Sequence, residues 1–215
     1  MTTIAHDVFE VEQAKPLIGA VITSNKETLL SGKYAKDIRA MLEDRGVIVF
    51  KKVDFTDEEQ VAFTKTLGNF VQEMTGDTFK ISMDKAINPA AEYTKGAFYW
   101  HIDGTMDRVP LFASMLSARR LAPVGGNTAF CNTYAAWDAL PDDRKDALRD
   151  LRAIHAVWPT IFYYEPEPPV AKLQGMFRVG ENELPLVWKH QTGRESLVLG
   201  CNTLRIIDKT PFESS

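Results

Sequence analysis

The sequence predicts a mainly β fold, a sandwich or barrel with flanking helices. Three observations predict it. Short apolar runs recur along the chain, among them PLIGAVIT (16–23), VIVF (47–50) and LFASMLSARR (111–120). Helical patterns gather early and in the middle, with strands on either side and no regular βαβ alternation. Near the end, LPLVWKH–QTGR–ESLVLG (184–200) has the form of a β-hairpin around a glycine-containing turn.

Taken in order, PLIGAVIT is a strand. YAKDIRAMLEDRG (34–46) is a helix, with Ile38, Met41 and Leu42 on one face and Gly46 as its stop. VIVF is a short buried strand. TDEEQVAFTKTLG (56–68) opens with Thr56 and Glu59 in capping-box spacing and closes at Gly68. Residues 72–97 read as a long loop with room for one strand, and such loops often serve as lids or binding segments. LFASMLSARR and NTAFCNT (127–133) are strands on either side of a PVGG turn, where the turn alone explains Gly125 and Gly126. Residues 133–155 form two helical pieces, with Pro141 in the first turn of the second and Leu148, Leu151 and Ile154 along one face. YYEPEPPVAKLQG (163–175) is proline-rich and exposed.

The chain has 215 residues, which suits a single domain spanning 1–215. Its 45% hydrophobic and 25% charged composition is ordinary for a globular protein. A net charge of −4 without a dense basic run argues against a nucleic-acid partner. Cys131 and Cys201 are too few for a disulfide framework and lack C-x-x-C spacing, which points to a reduced cytoplasm. Neither a signal peptide nor a membrane-spanning run is expected.

FYWHIDGTM (98–106) carries the chemistry. Residues i and i+2 of a strand point to the same face, so His101 and Asp103 can aim an imidazole and a carboxylate at one spot. Two histidines and one carboxylate form the facial triad of non-haem iron(II) oxygenases, and this pair supplies two of the three. An isolated H-x-D also fits a histidine and an aspartate satisfied by local hydrogen bonds. Phe98, Tyr99 and Trp100 fit either a core or a substrate pocket. Tyr134 and Trp137 fit packing, Asp138 and Pro141 a helix boundary, and Arg119 and Arg120 a solvated strand end. His155 reads as the end of a helix, where a cation favourably meets the dipole. His190 and Arg194 read as turn residues, and His6 as part of a flexible terminus.

The order W-H-x-D, strand, G-G-x-T, strand, Y-x-A-W-D-x-L-P (100–141) resembles the TauD/TfdA family of 2-oxoglutarate-dependent iron(II) dioxygenases. PLIGAVIT, RGVIVFKKVDFTDEEQVAFTKTLGNF and LPLVWKHQTGRESLVLG resemble that family's opening strands, following helix and late hairpin, so the resemblance covers nearly the whole chain. It implies a double-stranded β-helix, the cupin-like jelly roll, with Fe(II) at its open end and 2-oxoglutarate as cosubstrate. By matching position His101 and Asp103 would be iron ligands, and the Thr128 hydroxyl would hydrogen-bond the 2-oxoglutarate carboxylate. The implied reaction hydroxylates a small anionic substrate (a sulfonate, sulfate ester or aryloxy acid) with O2, releasing succinate and CO2.

The resemblance also implies a third ligand, a histidine in a segment resembling W-D-N-R-x-x-x-H, and beyond it an arginine pairing with the distal carboxylate of 2-oxoglutarate. Neither segment occurs in these 215 residues, and His6, His155, His190, Arg194 and Arg205 are poor substitutes. The expectation is a C-terminally incomplete domain lacking its last strands. Open strand edges then call for cover from a second copy, so a homo-oligomer is expected. Two other readings stand beside the oxygenase. One is a cupin-like metal enzyme of another type; the other is a catalytically dead jelly roll used for binding or assembly.

Overall fold

The computed structural model describes residues 4–6, 9–72, 76 and 78–214. They divide into two compact units, residues 1–79 with 115–132, and residues 80–114 with 133–215.

The first unit is built on a four-stranded sheet in chain order: β1 (Ile4–His6), β2 (Phe9–Gln13), β3 (Ala20–Thr23) and β4 (Ile48–Phe50). The first two pairings are antiparallel, and β3–β4 is parallel. His6 therefore lies in a strand opposite Phe9, where a flexible terminus was expected. In β2 and β3 the two-residue period sends Phe9, Val11, Ala20 and Ile22 inward. Between β3 and β4 run α1 (Lys26–Leu30) and α2 (Ala35–Arg45), and α2 stops at Gly46 in the left-handed region at φ 72°. The helix α3 (Asp57–Leu67) starts with the expected capping box: Thr56 Oγ1 accepts from Glu59 N at 3.2 Å, and Glu59 Oε2 accepts from Thr56 N at 2.7 Å. Its Phe63 packs edge-on against Phe50 and tilted against Phe55, at 5.5 and 5.4 Å between ring centres. These rings close a core with Phe9, Val11, Ile22, Leu29 and Ile38. Burying each such side chain contributes about 1.5–3 kcal/mol.

The stretch 115–132 joins this unit through side chains. Gln60 Nε2 donates to Met115 O at 3.2 Å, Arg119 reaches Phe55 O and Asp57, and Asn132 Nδ2 donates to Leu17 O at 2.5 Å. Arg119 is exposed, as expected, but it also anchors this stretch, and no strand ends there. The strands expected at 111–120 and 127–133 are absent among the described residues. An apolar run becomes a strand only where another strand pairs with it. Here Leu116, Leu121, Val124 and Phe130 stay exposed. Between them the chain bends at residues 123–124, with Gly125 and Gly126 both at positive φ.

In the second unit, residues 80–92 are a looped segment pinned by buried Asn88, whose Nδ2 donates to Ser82 O and whose Oδ1 accepts from Ala90 N. The expected long loop 72–97 thus ends in turns and a 3-10 helix, Tyr93–Phe98; its residues 73–75 and 77 lie outside the described residues. Next come α4 (Thr133–Asp138) and α5 (Asp142–Leu148), the latter capped by Pro141. The second helical piece was expected to reach 155, but residues Arg152–Ala156 form β5 instead. β5 is central in a sheet of order β6–β5–β9, with β6 Glu181–Pro185 and β9 Thr203–Ile206. Within the proline-rich stretch, Pro169 caps α6 (Val170–Phe177). The expected hairpin is present as β7 (Val187–Lys189) and β8 (Glu195–Leu197). Beneath it, buried Trp137 of α4 donates to Glu195, which also binds Arg149 with both carboxylate oxygens at 2.6 Å. The short helix α7 (Pro211–Ser214) follows β9. Strands with flanking helices are as expected, arranged among the described residues as three small sheets.

Candidate metal centre

After the 3-10 helix, Tyr99 is extended, residues 100–102 have no regular secondary structure and 103–106 form a turn. The segment lies outside any strand ladder, yet it brings the predicted pair together. His101 Nε2 is 3.4 Å from Asp103 Oδ1. The turn closes directly behind Asp103 because Gly104 adopts φ 69°, and a Cβ there would sit 2.6 Å from Leu111 Cγ.

The imidazole's protonation follows from its neighbours. His101 Nδ1 is 2.6 Å from Tyr99 O, and a carbonyl oxygen can only accept, so Nδ1 carries a proton. Nε2 then faces Asp103 Oδ1 with its lone pair unless a cation lies between them. Hydrogen bonding to Asp103 raises the His101 pKa, against the opposing effect of burial. The same bond holds the Asp103 carboxyl below its usual range, with Ser114 Oγ donating to Oδ2 at 2.9 Å.

A metal ion suits this gap. Two ligands about 2.1 Å from one ion and at right angles lie about 3 Å apart, close to the separation observed here. A backbone carbonyl fixing Nδ1–H while Nε2 is left to coordinate is the usual support of a metal-bound histidine. His101 and Asp103 therefore fit two positions of an iron(II) ion. Among the described residues, no group of three or more His, Cys, Asp or Glu side chains forms a metal cluster.

The other candidates are placed as follows. Thr128 is exposed in the 115–132 stretch of the first unit, whereas His101 and Asp103 belong to the second. His155 lies in the middle of β5, 1% exposed, and not at a helix end. His190 is half-buried, its Nε2 2.8 Å from Ser196 Oγ and its ring against Tyr134. The Arg194 guanidinium lies 3.8 Å over the Tyr134 ring, and Arg205 is exposed on β9. Phe98 and Trp100 are 78% and 59% exposed, which rules out the core reading for both.

Sequence reasoning did not find the groups that support the turn. They include Ser114 and the Gly200–Cys201–Asn202 turn. Cys201 N donates to Trp100 O at 2.7 Å, and Asn202 Nδ2 donates to Ile102 O at 3.3 Å. A glycine and an asparagine before TLRI do signal a turn. Nothing in the local text signals that this turn touches a segment some hundred residues earlier.

The chain belongs to the taurine catabolism dioxygenase TauD, TfdA family, whose model matches residues 10–214. It is 27% identical over 227 residues to the (S)-phenoxypropionate/alpha-ketoglutarate-dioxygenase of Sphingobium herbicidovorans, covering 96% of this chain and 75% of the relative. It is 29% identical over 216 residues to the alpha-ketoglutarate-dependent 2,4-dichlorophenoxyacetate dioxygenase of a Burkholderia species, covering 91% and 72%. Among solved structures it resembles AAD-2 in complex with Mn(II) and N-oxalylglycine, with a TM-score of 0.77 and 25% identity, covering 96% of this chain and 75% of that one. A taurine dioxygenase from Burkholderia xenovorans gives a TM-score of 0.72 at 25% identity, covering 96% and 69%. The chain is thus a member of an enzyme family of alpha-ketoglutarate-dependent dioxygenases. Among the described residues, no helix is long and apolar enough to cross a membrane.

Proposed function

We propose that this protein is an iron(II)- and 2-oxoglutarate-dependent dioxygenase that hydroxylates a small anionic organic molecule. The observation that carries the reading is the His101–Asp103 pair. Its facing lone pairs need a cation, and its Nδ1 proton is already held by Tyr99 O. The likeness in fold to the AAD-2 structure with Mn(II) supports it, and with it the jelly-roll architecture implied by the sequence resemblance. The iron and 2-oxoglutarate supply the oxidising chemistry: substrate C–H, O2 and 2-oxoglutarate give C–OH, succinate and CO2.

The chain's own residues bind and orient. His101 and Asp103 hold the ion, and the Thr128 hydroxyl donates to the 2-oxoglutarate carboxylate. Exposed Phe98 and Trp100 offer apolar surface beside the pair for an aryl or alkyl substrate body. The substrate class is a sulfonate, a sulfate ester or an aryloxy acid. Relatives named as dioxygenases of (S)-phenoxypropionate, sulfate esters and sulfonates support that range.

The test is an anaerobic titration of the 215-residue chain with iron(II) and 2-oxoglutarate, following the weak visible charge-transfer band of the chelate. The band should appear for the wild type and vanish for His101→Ala. A folded wild-type sample that shows no band would overturn the reading.

A further inference from the structure

We infer that Gly200 and Asn202 are positioning residues for the His101–Asp103 pair, holding from below the backbone that carries it. The inference rests on the metal reading of that pair.

The backbone carbonyls on either side of His101 are both held by one turn. Trp100 O accepts from Cys201 N at 2.7 Å, and Ile102 O accepts from Asn202 Nδ2 at 3.3 Å. Asn202 is 7% exposed, and its Nδ2 also lies 3.5 Å from the Oγ1 of buried Thr105, beyond Asp103. Its own carbonyl accepts from Ala156 N at 2.9 Å, which ties the turn to β5. A second asparagine, Asn182 of β6, donates to Thr105 O at 3.1 Å and Asp107 O at 2.6 Å and fixes the far end of the same segment. The exposed histidine and aspartate therefore stand on a backbone anchored to a buried sheet.

Gly200 sets how closely the two segments meet. A Cβ at this position would lie 2.9 Å from His101 Cα and 3.1 Å from Trp100 O, both backbone atoms that cannot swing aside. Any larger residue pushes the His101 backbone outward while Asp103 stays bound to Ser114. The 3.4 Å approach of the two donors then opens. Metal affinity depends steeply on such support, and loss of an outer-shell partner typically weakens binding about 10- to 100-fold.

The experiment measures Mn(II) binding to the full chain by the electron paramagnetic resonance signal of the free ion. It compares wild type, Gly200→Ala, Asn202→Ala and the control Gly175→Ala. A Cβ at position 175 would meet nothing within 4 Å beyond its own helix backbone and chain neighbours. Circular dichroism melts are run on every sample. Gly200→Ala and Asn202→Ala should weaken Mn(II) binding at least tenfold while keeping a cooperative melt, and Gly175→Ala should bind as wild type does. Unchanged affinity in both test variants, with the wild type binding, overturns the assignment and leaves the metal reading standing. A folded wild type that binds no Mn(II) overturns both. Loss of folding in Asn202→Ala would assign that residue to the fold and overturn its positioning role.

Discussion

A buried imidazole loses its charged form first, because taking an ion out of water costs far more than burying a neutral ring. His155 is 1% exposed in β5, opposite Asn182 on β6 and Thr203 on β9, beside a register shift between Ile154 and His155. Neither ring nitrogen has a hydrogen-bond partner among the described residues, and burial alone lowers its pKa. The unfolded chain therefore takes up a proton below about pH 6.5, the ordinary imidazole value, where the folded chain does not. Stability falls as pH drops through that point, because the unfolded state binds more protons there. In urea melts at pH 7.5 and 5.5 the wild type should lose more stability than His155→Leu, which has no imidazole to charge. Equal losses would show that His155 titrates alike in both states. At this scale the sequence was a mixed guide. The i, i+2 spacing of His101 and Asp103 correctly announced a convergent pair, although a turn delivers it and not a strand. His155 was misread because its environment is made by two strands, one 27 residues later and one nearer the end of the chain, that its neighbours do not announce.

Elements closed by local bonds were legible; elements closed by distant ones were not. The capping box of α3 and the left-handed stop of α2 depend on residues within four positions of each other, so the sequence carries them whole. Strand β5 is defined by its ladders to β6 and β9, while Leu148, Leu151 and Ile154 alone fit a helical face equally well. The runs at 111–120 and 127–133 fail the other way: strand-like composition without a partner among the described residues remains irregular. The start of α3 permits a direct test. Thr56 Oγ1 satisfies the Glu59 amide, and Glu59 in turn binds Lys26 Nζ at 2.7 Å, tying α3 to the start of α1. Thr56→Ala removes the accepting oxygen and should cost about 0.5–2 kcal/mol in urea unfolding. A midpoint unchanged within error would mean that the Glu59–Lys26 link alone holds the end of the helix.

At the scale of the molecule, the two units have separate hydrophobic centres, and this separation makes a prediction about cooperativity. The first unit closes on Phe63, 1% exposed and in contact with Phe50 and Phe55. The second closes in part on Val157, Ile161 and Met176, with Trp158 and Tyr164 packed against them. The metal pair and the turn beneath it belong entirely to the second unit. Phe63→Ala leaves a cavity among rings that cannot collapse to fill it, and such truncations typically cost about 3–5 kcal/mol. Amide exchange should therefore quicken by about two orders of magnitude or more across β2, β3 and α3, since each 1.4 kcal/mol corresponds to about a factor of ten. Protection in β5, β6 and β9 should change far less, and Mn(II) affinity should stay close to that of the wild type. Uniform acceleration through both units would show that they unfold as one body. The iron reading would survive that result. The independence of the metal-bearing unit from the core built on Phe63 would not.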